Sequence, residues 1–77
     1  MTYKEQEAAY IELRTAMEKQ ILEIEVNIRH CGRAKVSGKP SLNEQAQIQS
    51  LENGFKTMKF ALLDKIDIIN DELEHIK

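Results

Sequence analysis

The chain has few of the residues that interrupt or crosslink a fold. Its 77 residues include three Gly, one Pro, one Cys and no Trp. So little Gly and Pro excludes collagen-like and Pro-rich classes and favours helix, and a lone thiol excludes an intramolecular disulfide framework. The longest uninterrupted apolar run, Phe60 to Leu63, is far shorter than the roughly 18 residues of a membrane span. The first residues lack the apolar stretch of a signal peptide, so we expect a soluble, cytoplasmic protein.

One cluster of helix-breaking residues, between Gly32 and Pro40, divides the chain into two segments. Each segment opens with a capping box, in which a hydroxyl residue precedes a Glu by three positions: Thr2 with Glu5, and Ser41 with Glu44. The sequence therefore predicts a single domain made of two helices and a turn. The predicted ranges are 1–77 for the domain, about 3–35 for the first helix, about 36–40 for the turn and about 42–76 for the second helix.

Both segments carry apolar residues at alternating steps of three and four, which indicates an amphipathic helix. In the first segment these are Tyr10, Leu13, Met17, Ile21, Ile24, Ile28 and Cys31. In the second they are Ile48, Leu51, Phe55, Met58, Leu62, Ile66, Ile69, Leu73 and Ile76. The mean spacing of about 3.5 residues lets two neighbouring helices stay in register. We therefore predict an all-α fold, an antiparallel two-helix hairpin (αα-hairpin), in which Leu51, Phe55, Met58 and Leu62 face Met17, Ile21, Ile24 and Ile28.

These two stripes leave other apolar residues unexplained. One hairpin buries a single stripe of each helix, and a chain this small gains stability from a second buried surface. We therefore predict a partner-binding or self-association surface. Its residues are Ile11, Thr15, Leu22, Val26, Phe60 and Leu63.

The sequence offers little for catalysis or metal binding. His30, Cys31 and His75 are the only imidazoles and thiol, and in a hairpin His75 would lie roughly 40 Å from Cys31 at 1.5 Å per residue. We predict no enzyme activity, catalytic residue, metal or cofactor. The stretch from Arg29 to Lys39 is basic and the end of the second helix is acidic. Four cations without interleaved aromatics are a weak basis for nucleic-acid binding, so a role for this turn is left open.

The residues from Met17 to Leu63 resemble the small needle-subunit co-chaperones of type III secretion systems. The similarity lies in Ile21, Ile24 and Ile28, in the polar and basic turn, and in two runs that follow it. The runs are Glu44-Gln45-Ala46-Gln47 and Ser50-Leu51-Glu52-Asn53-Gly54. The resemblance implies pairing with a helical-repeat chaperone, the two together keeping a needle subunit soluble in the bacterial cytosol before export.

A structural, self-assembling hairpin is the alternative. It could be a needle-like subunit, since Lys39-Pro40-Ser41-Leu42-Asn43 is similar to the Pro-containing turn of needle subunits, or a homodimeric four-helix bundle. In either case the surplus apolar surface would meet its own copy. The co-chaperone is expected to be a monomer or dimer, whereas concentration-dependent polymers would favour the needle-like subunit.

Overall fold

A computed structural model describes residues 2–76 and consists of two long helices, α1 (Tyr3–Val36) and α2 (Leu42–Ile76). The helices run antiparallel along a molecule of 57 × 15 × 14 Å. The predicted all-α helical hairpin is confirmed.

Both helix starts use the predicted hydroxyl caps. The Glu5 amide donates to Oγ1 of Thr2 at 3.2 Å, and the Glu44 amide donates to Oγ of Ser41 at 3.2 Å. Between the helices the backbone enters the left-handed region at Gly38, where φ is 73°. Glycine adopts this conformation without a Cβ clash, which allows the chain to reverse within a few residues.

The core between the helices is thin. Over the described part of the chain only four apolar residues are buried, and no side chain there is completely shielded from solvent. The buried apolar residues are Ile21, Ile24, Cys31 and Ile69. We call the row of residues along which the two helices touch the contact line. Two helices alone cannot surround a side chain on every side, so the half-buried residues of the contact line keep one flank in water.

The two apolar stripes predicted to form the contact line are wrong at three positions. Leu13, Leu51 and Met58 are 46%, 56% and 53% exposed. In each case the next residue along the chain is more buried and takes the place in the contact line: Arg14, Glu52 and Lys59. In a 3.5-residue period, positions three and four before an apolar residue lie at equal angles on either side of it. The apolar pattern therefore leaves this choice open, and polar contacts between the helices decide it.

Candidate protein-binding faces

Polar side chains bridge the two helices along one face of the hairpin. Nη1 of Arg14 donates to Oδ1 of Asn70 at 2.8 Å, near the open end. Halfway along, Nζ of Lys59 lies 3.2 Å from Oε1 of Glu25. We call this side the bridged face. Each of these contacts joins a residue on the contact line to one on its flank, so they fix the register and the rotation of the helices.

The strongest bridge lies near the turn, around the carboxylate of Glu52, which is only 6% exposed. Nζ of Lys35 donates to Oε2 of Glu52 at 2.8 Å and to Oε1 of Gln49 at 2.8 Å, and Nε2 of Gln49 donates to Oε2 of Glu52 at 3.0 Å. The Lys35 hydrogen bond, opposed by desolvation, holds the pKa of Glu52 below its usual range. Lys35 therefore stabilises the pairing of the helices, and its charge is paired with Glu52, so it is not a free cation of the basic turn.

Five of the six predicted binding residues lie on the bridged face or at its edge. Ile11 lines a groove with Arg14 and Asn70, and Leu63 precedes Asn70 by two helical turns. Leu22 and Phe60 are 62% and 63% exposed and lie about midway along their helices. The fold therefore brings apolar residues of both helices to one side. Their exposure is compatible with binding, and their role stays a prediction.

The fifth of them, Thr15, lies two helical turns before Leu22 and therefore on the same side of α1, whereas Val26 lies farther round the helix. The hydroxyl of Thr15 donates to the carbonyl of Ile11 at 2.9 Å, a bond within the helix. Val26 is 43% exposed and lines a shallow depression with Arg29, His30 and Arg33. The predicted surface therefore spans two directions, and a single partner helix on the bridged face would reach Val26 only at its margin.

The opposite side of the hairpin carries a second apolar surface that the sequence reasoning missed. Met58 and Ala61 of α2 line one groove with Gln20 and Asn27 of α1. Leu13 lies two helical turns before Gln20 and therefore on the same side. We call this side the open face, and its apolar and small residues are Leu13, Leu51, Gly54, Met58, Ala61 and Ile68. The sequence does not reveal this face because its pattern predicts Leu13, Leu51 and Met58 in the contact line.

The two faces differ in whether polar side chains connect the helices across them. Within residues 2–76 every hydrogen bond or ion pair between the side chains of the two helices lies on the bridged face. On the open face the half-buried Phe55 and Leu62 adjoin Met58 and Ala61 in the same groove. The apolar layer between the helices therefore continues outward on the open side and is closed by polar contacts on the other.

The candidate chemical groups remain apart. Cys31 is buried between the helices, and His30 is exposed. Nδ1 of His75 lies 2.7 Å from the Asp71 carbonyl, and this hydrogen bond raises the pKa of His75. Among residues 2–76 no three His, Cys, Asp or Glu side chains lie close enough together to hold a metal ion.

Comparison with protein-family models, curated proteins and solved structures found no match to this chain. Neither helix, over its described residues, is long and apolar enough to cross a membrane.

Proposed function

We propose that this chain is a non-enzymatic adaptor, a helical hairpin whose apolar faces are covered by other helices. The observation that carries the proposal is the balance of burial: among residues 2–76 four apolar residues are buried, while twelve large hydrophobic side chains are exposed. Isolated exposed hydrophobics are ordinary, but rows of them along both long faces of a hairpin are typical of a protein interaction surface.

The resemblance of residues 17–63 to needle-subunit co-chaperones supports a more specific proposal. In it the chain acts in the bacterial cytosol and pairs with a larger helical-repeat chaperone. Together they hold a type III secretion needle subunit in soluble form. The chain would offer the bridged face and the adjoining side of α1, through Ile11, Thr15, Leu22, Phe60 and Leu63, with Val26 at the margin.

The test uses the purified chain with a needle subunit and a helical-repeat chaperone from the same cells. Light scattering would report whether the needle subunit stays monomeric. We expect Leu22→Asp combined with Val26→Asp to keep the helical circular-dichroism spectrum and to lose at least ~2 kcal/mol of association, since it places one charge at the anchor Leu22 and a second at the margin of the interface. Leu51→Asp is the matched control, since it makes the same type of change on the open face.

A needle subunit that polymerises equally fast with and without the chain would contradict the co-chaperone proposal. Equal binding by the double variant would instead remove the bridged side of α1 from the interface. The alternative function, a self-assembling structural hairpin, is favoured by the second apolar face. It predicts concentration-dependent polymers of the chain alone, whereas the adaptor predicts a discrete monomer or dimer.

A further inference from the structure

We propose that two copies of this chain pair through their open faces in antiparallel orientation, with the turn of one copy beside the open end of the other, to form a four-helix bundle. This interface is independent of the partner proposed above, because it uses the opposite face. Both bridged faces remain outside on the bundle.

The first argument is surface area. A folded monomer of 8.9 kDa is expected to expose about 4,800 Å², whereas this hairpin exposes 6028 Å². The excess is about 1,200 Å², and a standard specific interface takes about 800 Å² from each partner. The hairpin therefore exposes more surface than a compact monomer of its mass, by an amount that exceeds what one partner contributes to a standard dimer interface.

The second argument is the direction in which the apolar layer continues. Polar bridges close the contact line on one side, while on the other Phe55 and Leu62 are only half-buried and border the open groove. Gly54 has no atom within 4 Å of the position that a Cβ would occupy, so another helix could approach closely there. Four-helix bundles have this asymmetry in each hairpin, with one face inward and the other in water.

The third argument is the spacing along the open face. Gln20 and Ala61 each lie near the midpoint of their helices, α1 (Tyr3–Val36) and α2 (Leu42–Ile76), and both line the same groove. Leu51 is about 15 Å from Ala61 toward the turn, and Ile68 is about 10 Å from it toward the open end, at 1.5 Å per residue. Leu13 lies about as far toward the open end from Gln20. A two-fold axis near Ala61 therefore brings Leu51 of one copy close to Leu13 and Ile68 of the other.

The fourth argument is charge, and it selects the orientation. Residues 21–60, the half that contains the turn, hold six cationic and four anionic side chains. Residues 2–20 and 61–76, the other half, hold four cationic and nine anionic ones. An antiparallel pair places the basic half of each copy along the acidic half of the other. A parallel pair would align the two acidic halves, which repel.

The test begins with the unaltered chain, by sedimentation velocity over a wide concentration range and by thermal unfolding. We expect a single dimer and a Tm that rises with concentration, since dimerisation stabilises the folded state by mass action. Met58→Glu should weaken the dimer at least ~30-fold, the loss of a central anchor of about 2 kcal/mol. Leu22→Glu, the matched change on the bridged face, should leave the dimer intact. Monomers at every concentration together with a constant Tm would overturn the proposal, and so would open-ended polymers.

Orientation is tested by cysteine pairing in chains that carry Cys31→Ser. A mixture of Leu51→Cys and Ile68→Cys chains should form the mixed disulfide on mild oxidation, whereas Leu51→Cys alone should not crosslink to itself. Raising KCl from about 0.05 M to about 0.5 M should weaken the dimer several-fold, because attractive charges are screened. Self-crosslinking of Leu51→Cys, or a dimer that tightens with salt, would overturn the antiparallel arrangement. These readouts need no other protein, so their failure is distinct from failure of the adaptor proposal.

Discussion

The two long faces of this hairpin solve different problems with the same helices. On the bridged face, charged and amide side chains satisfy one another across the helices, as Arg14 does with Asn70 and Lys35 with Glu52. On the open face, Leu51 and Met58 extend into solvent without a partner in the chain. The bridged face sets how the helices pair, and the open face presents the apolar surface that the pairing leaves over.

The difference shows why apolar pattern and burial diverge in a two-helix protein. Glu52 is among the most buried residues described, and Leu51 beside it is more than half exposed. A polar residue tolerates burial when its hydrogen bonds are made. An apolar residue on the outside of a thin hairpin has no third element to cover it.

The largest expected effect on stability comes from truncating a residue that is buried between the helices, beneath both faces. Ile24 is buried between the helices at 7% exposure, so Ile24→Ala should lower the free energy of unfolding by about 2–5 kcal/mol through lost burial and a cavity. Leu22→Ala, two residues away on the bridged face, should change it by at most about 0.5–1 kcal/mol in the absence of a partner. Urea titration measures both. Equal losses would mean that the helix is rotated relative to this structure.

The bridge at the turn is broken by Lys35→Met, which leaves the Glu52 carboxylate buried without its cation. We expect a clearly lower Tm, because removing one partner of a buried ion pair is more destabilising than removing both. Adding Glu52→Leu to the same chain should recover most of the loss. A double variant no more stable than Lys35→Met alone would show that this pair is not buried as described.

A smaller effect, of opposite sign, is expected from Gly54→Ala on the open face. The added methyl group meets no atom within 4 Å, and alanine is favoured over glycine inside a helix by about 1 kcal/mol. The free energy of unfolding should therefore rise. Gly38→Ala is the control and should be destabilising, because φ of 73° strains a residue with a Cβ. The increase for Gly54→Ala is expected for the monomeric chain, and a fall in dilute solution would contradict it. A fall that appears only where the chain dimerises would instead support close approach of the second copy at Gly54.

The smallest expected effect is the acid dependence of the bridged face. The Lys35 hydrogen bond lowers the pKa of Glu52 below its unperturbed value of 4.5 in the folded state. The unfolded chain thus binds a proton first, and the stability from this contact is present above pH 4.5 and is lost as the pH falls through the folded pKa. Tm measured from neutral pH into the acid range should fall less steeply for Glu52→Gln. A change on the open face, such as Met58→Gln, should leave that slope unaltered.

Much of the fold follows from local signals in the sequence. The hydroxyl caps at Thr2 and Ser41, the breaker cluster before Pro40 and the period of the apolar residues together predict two long helices and an antiparallel turn. Each of these signals acts within a few residues, through backbone hydrogen bonding or side-chain direction. The exposed positions of Leu22 and Phe60 also follow, because both lie well off any shared stripe.

The face that each helix presents to the other was decided only by the tertiary structure. Leu51 and Glu52 flank the line through Phe55 symmetrically, so the sequence alone favours the apolar member, whereas Lys35 on the other helix makes burial of the carboxylate favourable. The same applies to Leu13 and Arg14, where Asn70 is the distant partner. The amphipathic period is a property of each helix by itself, and it determined that the chain forms two long helices. Rotation and register depend on pairs of residues up to 56 positions apart, as for Arg14 and Asn70, and emerge only when the two helices meet.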